Sequence, residues 1–264
     1  MIALCDGVEI GYDDVGVGMP VAFVHGFPHN RTLWAPQVGA LVDRARCIAP
    51  DLRGFGESSK QGPFTIDQFA DDLAMLLREL GIERAVIVGL SMGGYIALAF
   101  WRRHRSLVRA LVLADTRAGA DSEDTRAKRL ALIETARTRG SGAVADAQIT
   151  GMVGKTTREN RPALIDSVHR MLESAPVDGI VGALEAMMSR PDSTSTLATI
   201  DVPTLVVVGD EDVLTPVKEA EILHEGIRGS RLEVIVRAGH VSNLERPAAF
   251  NHVLSEFLAA LDYQ

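Results

Sequence analysis

Apolar residues fall along the chain in two alternating rhythms. Short runs that are apolar nearly throughout, Val21 to His25, Ala45 to Asp51, Ala85 to Gly89, Ala110 to Asp115, Thr204 to Gly209 and Leu232 to Val236, are bounded by polar residues or glycine. Strands of a parallel sheet, covered on both faces, read this way. Between them the spacing turns helical: Ile66 to Leu80 sets Phe69, Leu73, Leu76, Leu77 and Leu80 on one face, and Met92 to His104 is rich in Ala and Leu. Strand and helix in alternation predict a parallel α/β sheet. Asp6-Gly7, between Ile2–Cys5 and Val8–Tyr12, predicts that the sheet opens with an antiparallel hairpin.

The alternation stops between Arg117 and Ile200. No strand-like run occurs there; Thr125 to Arg137, Pro162 to Ser174 and Val177 to Met188 read instead as amphipathic helices separated by Gly and Pro. The pattern predicts a core of residues 1–116 and 201–264 with a helical insertion, 117–200, that caps a site, because insertions at strand ends build pockets. Met152, Met187 and Met188 of the insertion, with Trp34 of the core, are the candidate pocket residues.

Composition narrows the partners. Of 264 residues 47% are hydrophobic and 23% charged, which excludes a disordered or fibrous chain. Lys and Arg number 27 against 35 Asp and Glu, a net charge of -8, so no field draws phosphate backbones and no nucleic acid is expected. No apolar run approaches the roughly 20 residues of a bilayer span, and the opening MIALCDGVEIGYDD carries acids where a leader would carry Lys or Arg, so the expectation is a cytoplasmic protein with no membrane partner. Cys5 and Cys47 lie in apolar runs and read as inert core thiols. The basic clusters Arg102, Arg103, His104, Arg105 and Arg126, Lys128, Arg129 read as solvated helix faces. Composition leaves monomer and homodimer both open.

Chemistry concentrates where strands end. Gly89-Leu90-Ser91-Met92-Gly93 follows a buried strand and opens a helix, a sharp turn that small neighbours permit and that presents a serine hydroxyl above the sheet. Such a hydroxyl needs a base oriented by a carboxylate. His240 follows the strand Leu232 to Val236, whereas His104, His169, His224 and His252 sit in helical patterns and His25 and His29 precede the serine. For the acid, Asp210 and Asp212 both follow Thr204 to Gly209, and Asp115 follows an earlier strand; Asp212 reaches far enough into its loop to aim at His240, and Asp210 reads as a loop cap. The N–H groups of Met92 and of Phe27, in the loop His25-Gly26-Phe27-Pro28, are the candidate oxyanion donors, with His25 fixing that loop. Asp51 to Ser58 reads as a turn pinned by Asp and Arg.

Together HGFP at 25–28, DLRGFGES at 51–58, GLSMGG at 89–94, GDEDVLTP at 209–216 and AGH at 238–240 resemble the α/β-hydrolase superfamily over essentially the whole chain. The resemblance implies an α/β-hydrolase fold: an eight-stranded, mostly parallel sheet flanked by helices with a helical cap insertion. It implies Ser91 as nucleophile, Asp212 as acid, His240 as base, Phe27 and Met92 amides as oxyanion hole, and Gly26, Gly89 and Gly93 as the small residues of the supporting loops. GLSMGG and Leu33-Trp34-Ala35-Pro36-Gln37 are similar to 3-oxoadipate enol-lactonases and small carboxylesterases; N-acyl-homoserine lactonases and cofactor-free haloperoxidases share much of the pattern. The expected activity is hydrolysis of small, uncharged or weakly charged esters or lactones. A lyase or perhydrolase on the same three residues, or a ligand-binding receptor of the fold, is the alternative. No metal-ligand cluster, phosphate loop or dinucleotide fingerprint occurs, so no cofactor is expected.

Overall fold

The computed structural model describes residues 1–62 and 64–261. Eight strands form one sheet: β1 (Ile2–Cys5), β2 (Val8–Val15), β3 (Met19–Val24), β4 (Ala45–Pro50), β5 (Ala85–Leu90), β6 (Val108–Ala114), β7 (Thr204–Gly209) and β8 (Arg231–Ile235), in the order β1-β2-β4-β3-β5-β6-β7-β8. β1 pairs with β2, and β2 with β4, antiparallel; from β4 to β8 every pair is parallel. The expected opening hairpin is present, with Asp6 and Gly7 both at positive φ.

Burial explains why the central strands read as continuous apolar runs. Val21 and Phe23 of β3 face one apolar layer while Ala22 and Val24 face the other, and Val86 and Val88 of β5 alternate in the same way with Ala85 and Ile87. One layer is closed by α1 (Ala35–Leu41) and the C-terminal Pro247–Leu261 helix. The other is closed by α2 (Ile66–Glu79) and α3 (Met92–His104). Thr65 caps α2, its hydroxyl accepting the Gln68 N–H at 3.0 Å. The cluster ending α3 behaves as a paired, solvated face: Arg103 holds Asp71 of α2 at 2.8 and 2.7 Å. Cys5 and Cys47 are buried and unpaired, and burial pushes both thiols up to about 11.

Between β6 and β7 the chain is helical: α4 (Glu123–Met152), α5 (Lys155–Asn160), α6 (Pro162–Glu173), α7 (Val177–Ser189) and α8 (Thr194–Leu197). The first helix runs well beyond the expected Thr125 to Arg137. Gly140, at φ 80° and ψ -179°, breaks it locally, and the helix resumes to Met152. Beyond β7 come α9 (Val217–Gly226), α10 (Ser242–Glu245) and α11 (Pro247–Leu261).

The sequence of strands reverses at β3, whose neighbours are β4 on one side and β5 on the other. The loops leaving β3 and β5 therefore diverge, and open α/β sheets carry their sites in the crevice so formed. The loop after β4 is pinned as expected: Asp51 accepts the Arg31 and Glu57 N–H groups at 2.8 and 2.9 Å, and Arg53 makes a two-bond pair with Asp72 at 2.8 and 2.6 Å. Both side chains of the latter pair are only 5% exposed, so removing one partner strands a charge. We expect Asp72→Ala to lower the unfolding free energy by about 3–5 kcal/mol in urea titration; a loss under about 1 kcal/mol would show that the pair is dispensable.

Candidate active site

Ser91 stands between β5 and α3 at φ 55° and ψ -114°. This region is costly for a residue with a Cβ, so packing must hold it. Its N–H donates to the Ala114 carbonyl at 2.9 Å, and Thr116 Oγ1 donates to its carbonyl at 2.7 Å. Gly93 lies so close to the carbonyls of Val24 and His25 that a Cβ would overlap them; a Cβ on Gly26 would stand 3.2 Å from that of Ser91. Glycine at these two positions lets α3 and the loop after β3 close on the serine. Gly89, in β5 beneath them, faces the Gly93 carbonyl.

His240 follows β8 and is 2% exposed, with Nε2 2.8 Å from Ser91 Oγ and Nδ1 2.8 Å from Asp212 Oδ2. An ionised carboxylate only accepts, so Nδ1 carries the proton and Nε2 is free to accept from the serine hydroxyl. Asp212 is held in turn by the N–H groups of Leu214 and Thr215 at 2.8 and 3.0 Å and by the Thr215 hydroxyl at 2.6 Å. Burial is the largest single influence on the His240 imidazole and pushes it down, but the charge and hydrogen bond of Asp212, with the charge of Asp115, together outweigh it, and its pKa lies above the ordinary histidine value. Burial also disfavours the Asp212 carboxylate, yet His240 and Thr215 hold its pKa below the usual range.

The other two candidate acids do different work. Asp210 Oδ1 accepts the Arg237 and Ala238 N–H groups at 2.6 and 3.3 Å, bracing the loop before His240. Asp115 is fully buried; it accepts Gly209 N–H at 2.9 Å and the Ser242 hydroxyl at 2.6 Å, and burial with the nearby Asp212 charge pushes its carboxyl well above the usual range.

In the loop after β3, His25 Nδ1–H donates to the Gly26 carbonyl at 2.9 Å and Nε2 accepts Leu52 N–H at 3.0 Å, so this histidine fastens two loops. His29 is buried with neither ring nitrogen partnered among the described residues, and burial, then His25 and His240, push its pKa down to about 3. The N–H groups of Phe27 and Met92 donate to no acceptor among the described residues. Both remain available to an oxygen bound beside Ser91.

A cavity of about 250 Å³ opens onto Ser91 and His240, with Phe27, Met152, Leu184 and Met187 among its apolar walls. Two expected pocket residues are elsewhere. Trp34 is fully buried in the apolar layer closed by α1 and α11, its ring 5.2 Å from Phe23 and 6.1 Å from Phe250, because the apolar residues after the HGFP loop turn into the core. Met188 packs against the core instead, since adjacent residues of α7 point about 100° apart and only Met187 faces the cavity. A third correction concerns charge. Lys128 and Arg129 are not merely a solvated face: Thr125, Lys128, Arg129 and Leu132 all line the cavity, joined by Arg117. Their i, i+3, i+4, i+7 spacing on α4 is the signal that reveals them, although most of that stripe is polar.

Residues 19–247 match the family model for the alpha/beta hydrolase fold. The chain belongs to that family. It is 31% identical over 237 residues to 3-oxoadipate enol-lactonase 2 of Acinetobacter baylyi, covering 88% of this chain and 85% of that one. A malate-bound thermophilic esterase from Thermogutta terrifontis superposes with a TM-score of 0.93 at 41% identity over 96% and 94% of the two chains. The enol-lactonase of Burkholderia xenovorans LB400 superposes at 0.91 and 30% identity over 98% and 100%. The hydrolase family, the eight-stranded sheet and its flanking helices agree with the sequence reading.

The raised His240 pKa has a kinetic consequence. A base must be neutral, so activity that depends on it is lost as pH falls through that pKa. The acid limb of kcat/KM is expected above about pH 6.5, the ordinary histidine value, and Asp212→Asn should move it downwards, since the main opposition to burial is then removed and only Asp115 still raises it. A limb below that value in the wild type, or one unmoved by the substitution, contradicts the assignment.

Proposed function

We propose that this chain is a serine hydrolase that cleaves small carboxylic esters or lactones through an acyl-enzyme. The observation that carries the reading is the hydrogen-bonded chain from Asp212 through His240 to Ser91, 2.8 Å at each link, ending in a cavity. Ser91 Oγ attacks the carbonyl carbon while His240 Nε2 takes its proton, and the Asp212 carboxylate stabilises the imidazolium. The carbonyl oxygen becomes an oxyanion between the N–H groups of Phe27 and Met92. The tetrahedral species collapses, the leaving alkoxide takes the proton from Nε2, and the acyl group stays on Oγ. Water then gives a proton to Nε2 and attacks the acyl carbon; Oγ leaves, recovers the proton, and the carboxylic acid departs. In a lactone, alcohol and acid belong to one product.

Residues 117–200 act in this scheme as a cap over the core formed by 1–116 and 201–264. Met152, Leu184 and Met187 are among its apolar contributions to the cavity wall, and Arg117, Lys128 and Arg129 are its cationic ones. The chemistry needs no bound group besides these side chains. Among the described residues no helix is long and apolar enough to cross a membrane, and two reduced thiols suit a cytoplasmic setting.

A fluorophosphonate probe followed by peptide mass spectrometry should label Ser91 alone. Labelling elsewhere, or none in a preparation that turns over 4-nitrophenyl esters, overturns the nucleophile. Asp212→Asn is expected to lower kcat by about 10⁴-fold through loss of the Nδ1–H tautomer, whereas Asp210→Asn should be mild. The reverse order would make Asp210 the acid.

A further inference from the structure

His240 is gripped on both sides by one segment of the helical insertion. Val241, the residue after it, gives its N–H to the Met152 carbonyl at 3.2 Å. Gly239, the residue before it, gives its N–H to Glu245 Oε1 at 2.8 Å, and the other oxygen of that carboxylate takes the Gly154 N–H at the same distance. Glu245 ends the short helix just beyond the histidine and is fully buried. Met152, whose side chain lines the cavity beside Ser91 and His240, is separated from Gly154 by Val153 alone.

The sequence is shaped for this junction. Gly154 and Gly239 press backbone to backbone: a Cβ on Gly239 would overlap the Gly154 nitrogen, and one on Gly154 would stand 2.8 Å from the Gly239 nitrogen. Glycine at both positions lets two amides converge on one carboxylate. Two buried N–H groups aimed at separate oxygens need an acceptor at each, which an ionised carboxylate supplies and a carboxamide does not. Glutamine there would turn its NH2 towards one of the amides, donor facing donor. The acid is tied to the same stretch of chain, since Glu211, which precedes Asp212, accepts Thr156 N–H at 2.7 Å. Glu245 itself does not line the cavity, so its influence on the reaction passes through these amides.

We propose, on the footing of the hydrolase reading above, that Glu245 is a positioning residue: its carboxylate holds His240 in register with the segment Met152–Gly154, so that one clamp sets both the wall on which the acyl group packs and the imidazole that meets Ser91. Acylation and deacylation both pass a proton through His240 Nε2. A misplaced imidazole therefore slows both steps and shows in kcat rather than KM. A displacement of about 1 Å is enough to cost about a hundredfold.

The test is Glu245→Gln, which keeps the side-chain volume, assayed on 4-nitrophenyl butyrate per folded molecule, with folding followed by circular dichroism in urea. kcat should fall about ten- to a hundredfold while KM stays within about twofold. In a double-mutant cycle with Met152→Ala the losses in kcat should fail to multiply by about threefold or more, because both changes act on one segment; independent structural damage multiplies. Should the Gln variant unfold, Glu245→Asp, which keeps the charge on a side chain too short to span both amides, is read by the same two criteria. A kcat per folded molecule within about twofold of the wild type, or losses that simply multiply, overturns the clamp and leaves the hydrolase reading standing. A folded wild type that cleaves no ester overturns both.

Discussion

The structure depends on one imidazole held dry between a carboxylate and a hydroxyl. His240 is 149 residues from Ser91 and 28 from Asp212, and each contact is a single hydrogen bond of 2.8 Å. Such bonds survive only if the backbone brings the three loops together to within a few tenths of an ångström. The parallel sheet does this. β5, β6, β7 and β8 lie side by side, so the loops leaving β5, β7 and β8 emerge at one edge. Side-chain hydrogen bonds then remove the remaining freedom: the buried Asp115 ties the end of β7 to Ser242, and the exposed Asp210 ties its own loop to the turn before His240.

The same loops anchor the helical insertion. Glu245, fully buried, accepts N–H groups from Gly239, beside the histidine, and from Gly154, before α5, both at 2.8 Å. Glu211, beside the acid, accepts Thr156 N–H at 2.7 Å. The segment that follows Met152 in the cavity wall is therefore fastened to the loops that carry the imidazole and its acid. Burial pushes the Glu245 carboxyl up while the amides it holds draw it down, and burial prevails.

Much of this was legible in the sequence because strands covered on both faces read as apolar runs and because a serine in a strand-to-helix turn needs glycine around it. The six parallel strands β3 to β8, the helices α2 and α3, and the positions of Ser91, Asp212 and His240 at strand ends all follow from those two constraints. The cavity wall was harder to read. Periodicity says which face of a helix is apolar, but the α4 stripe at Thr125, Lys128, Arg129 and Leu132 is mostly polar, and it faces a water-accessible cavity rather than a core. Trp34 shows the converse: a large aromatic near a reactive loop reads as a pocket residue, yet its burial satisfies the core. Gly140 allowed one long interrupted helix where spacing suggested a shorter one.

The account rests on His240 carrying its proton on Nδ1, towards Asp212, and offering a bare Nε2 to Ser91 in the resting protein. Nitrogen-15 NMR of the histidine side chains reads this directly. At neutral to alkaline pH the His240 ring should show the Nδ1–H tautomer, and its titration should lie above that of an ordinary histidine and fall when Asp212 is replaced by Asn. An Nε2–H tautomer in the wild type, or a titration indifferent to Asp212, would contradict the account.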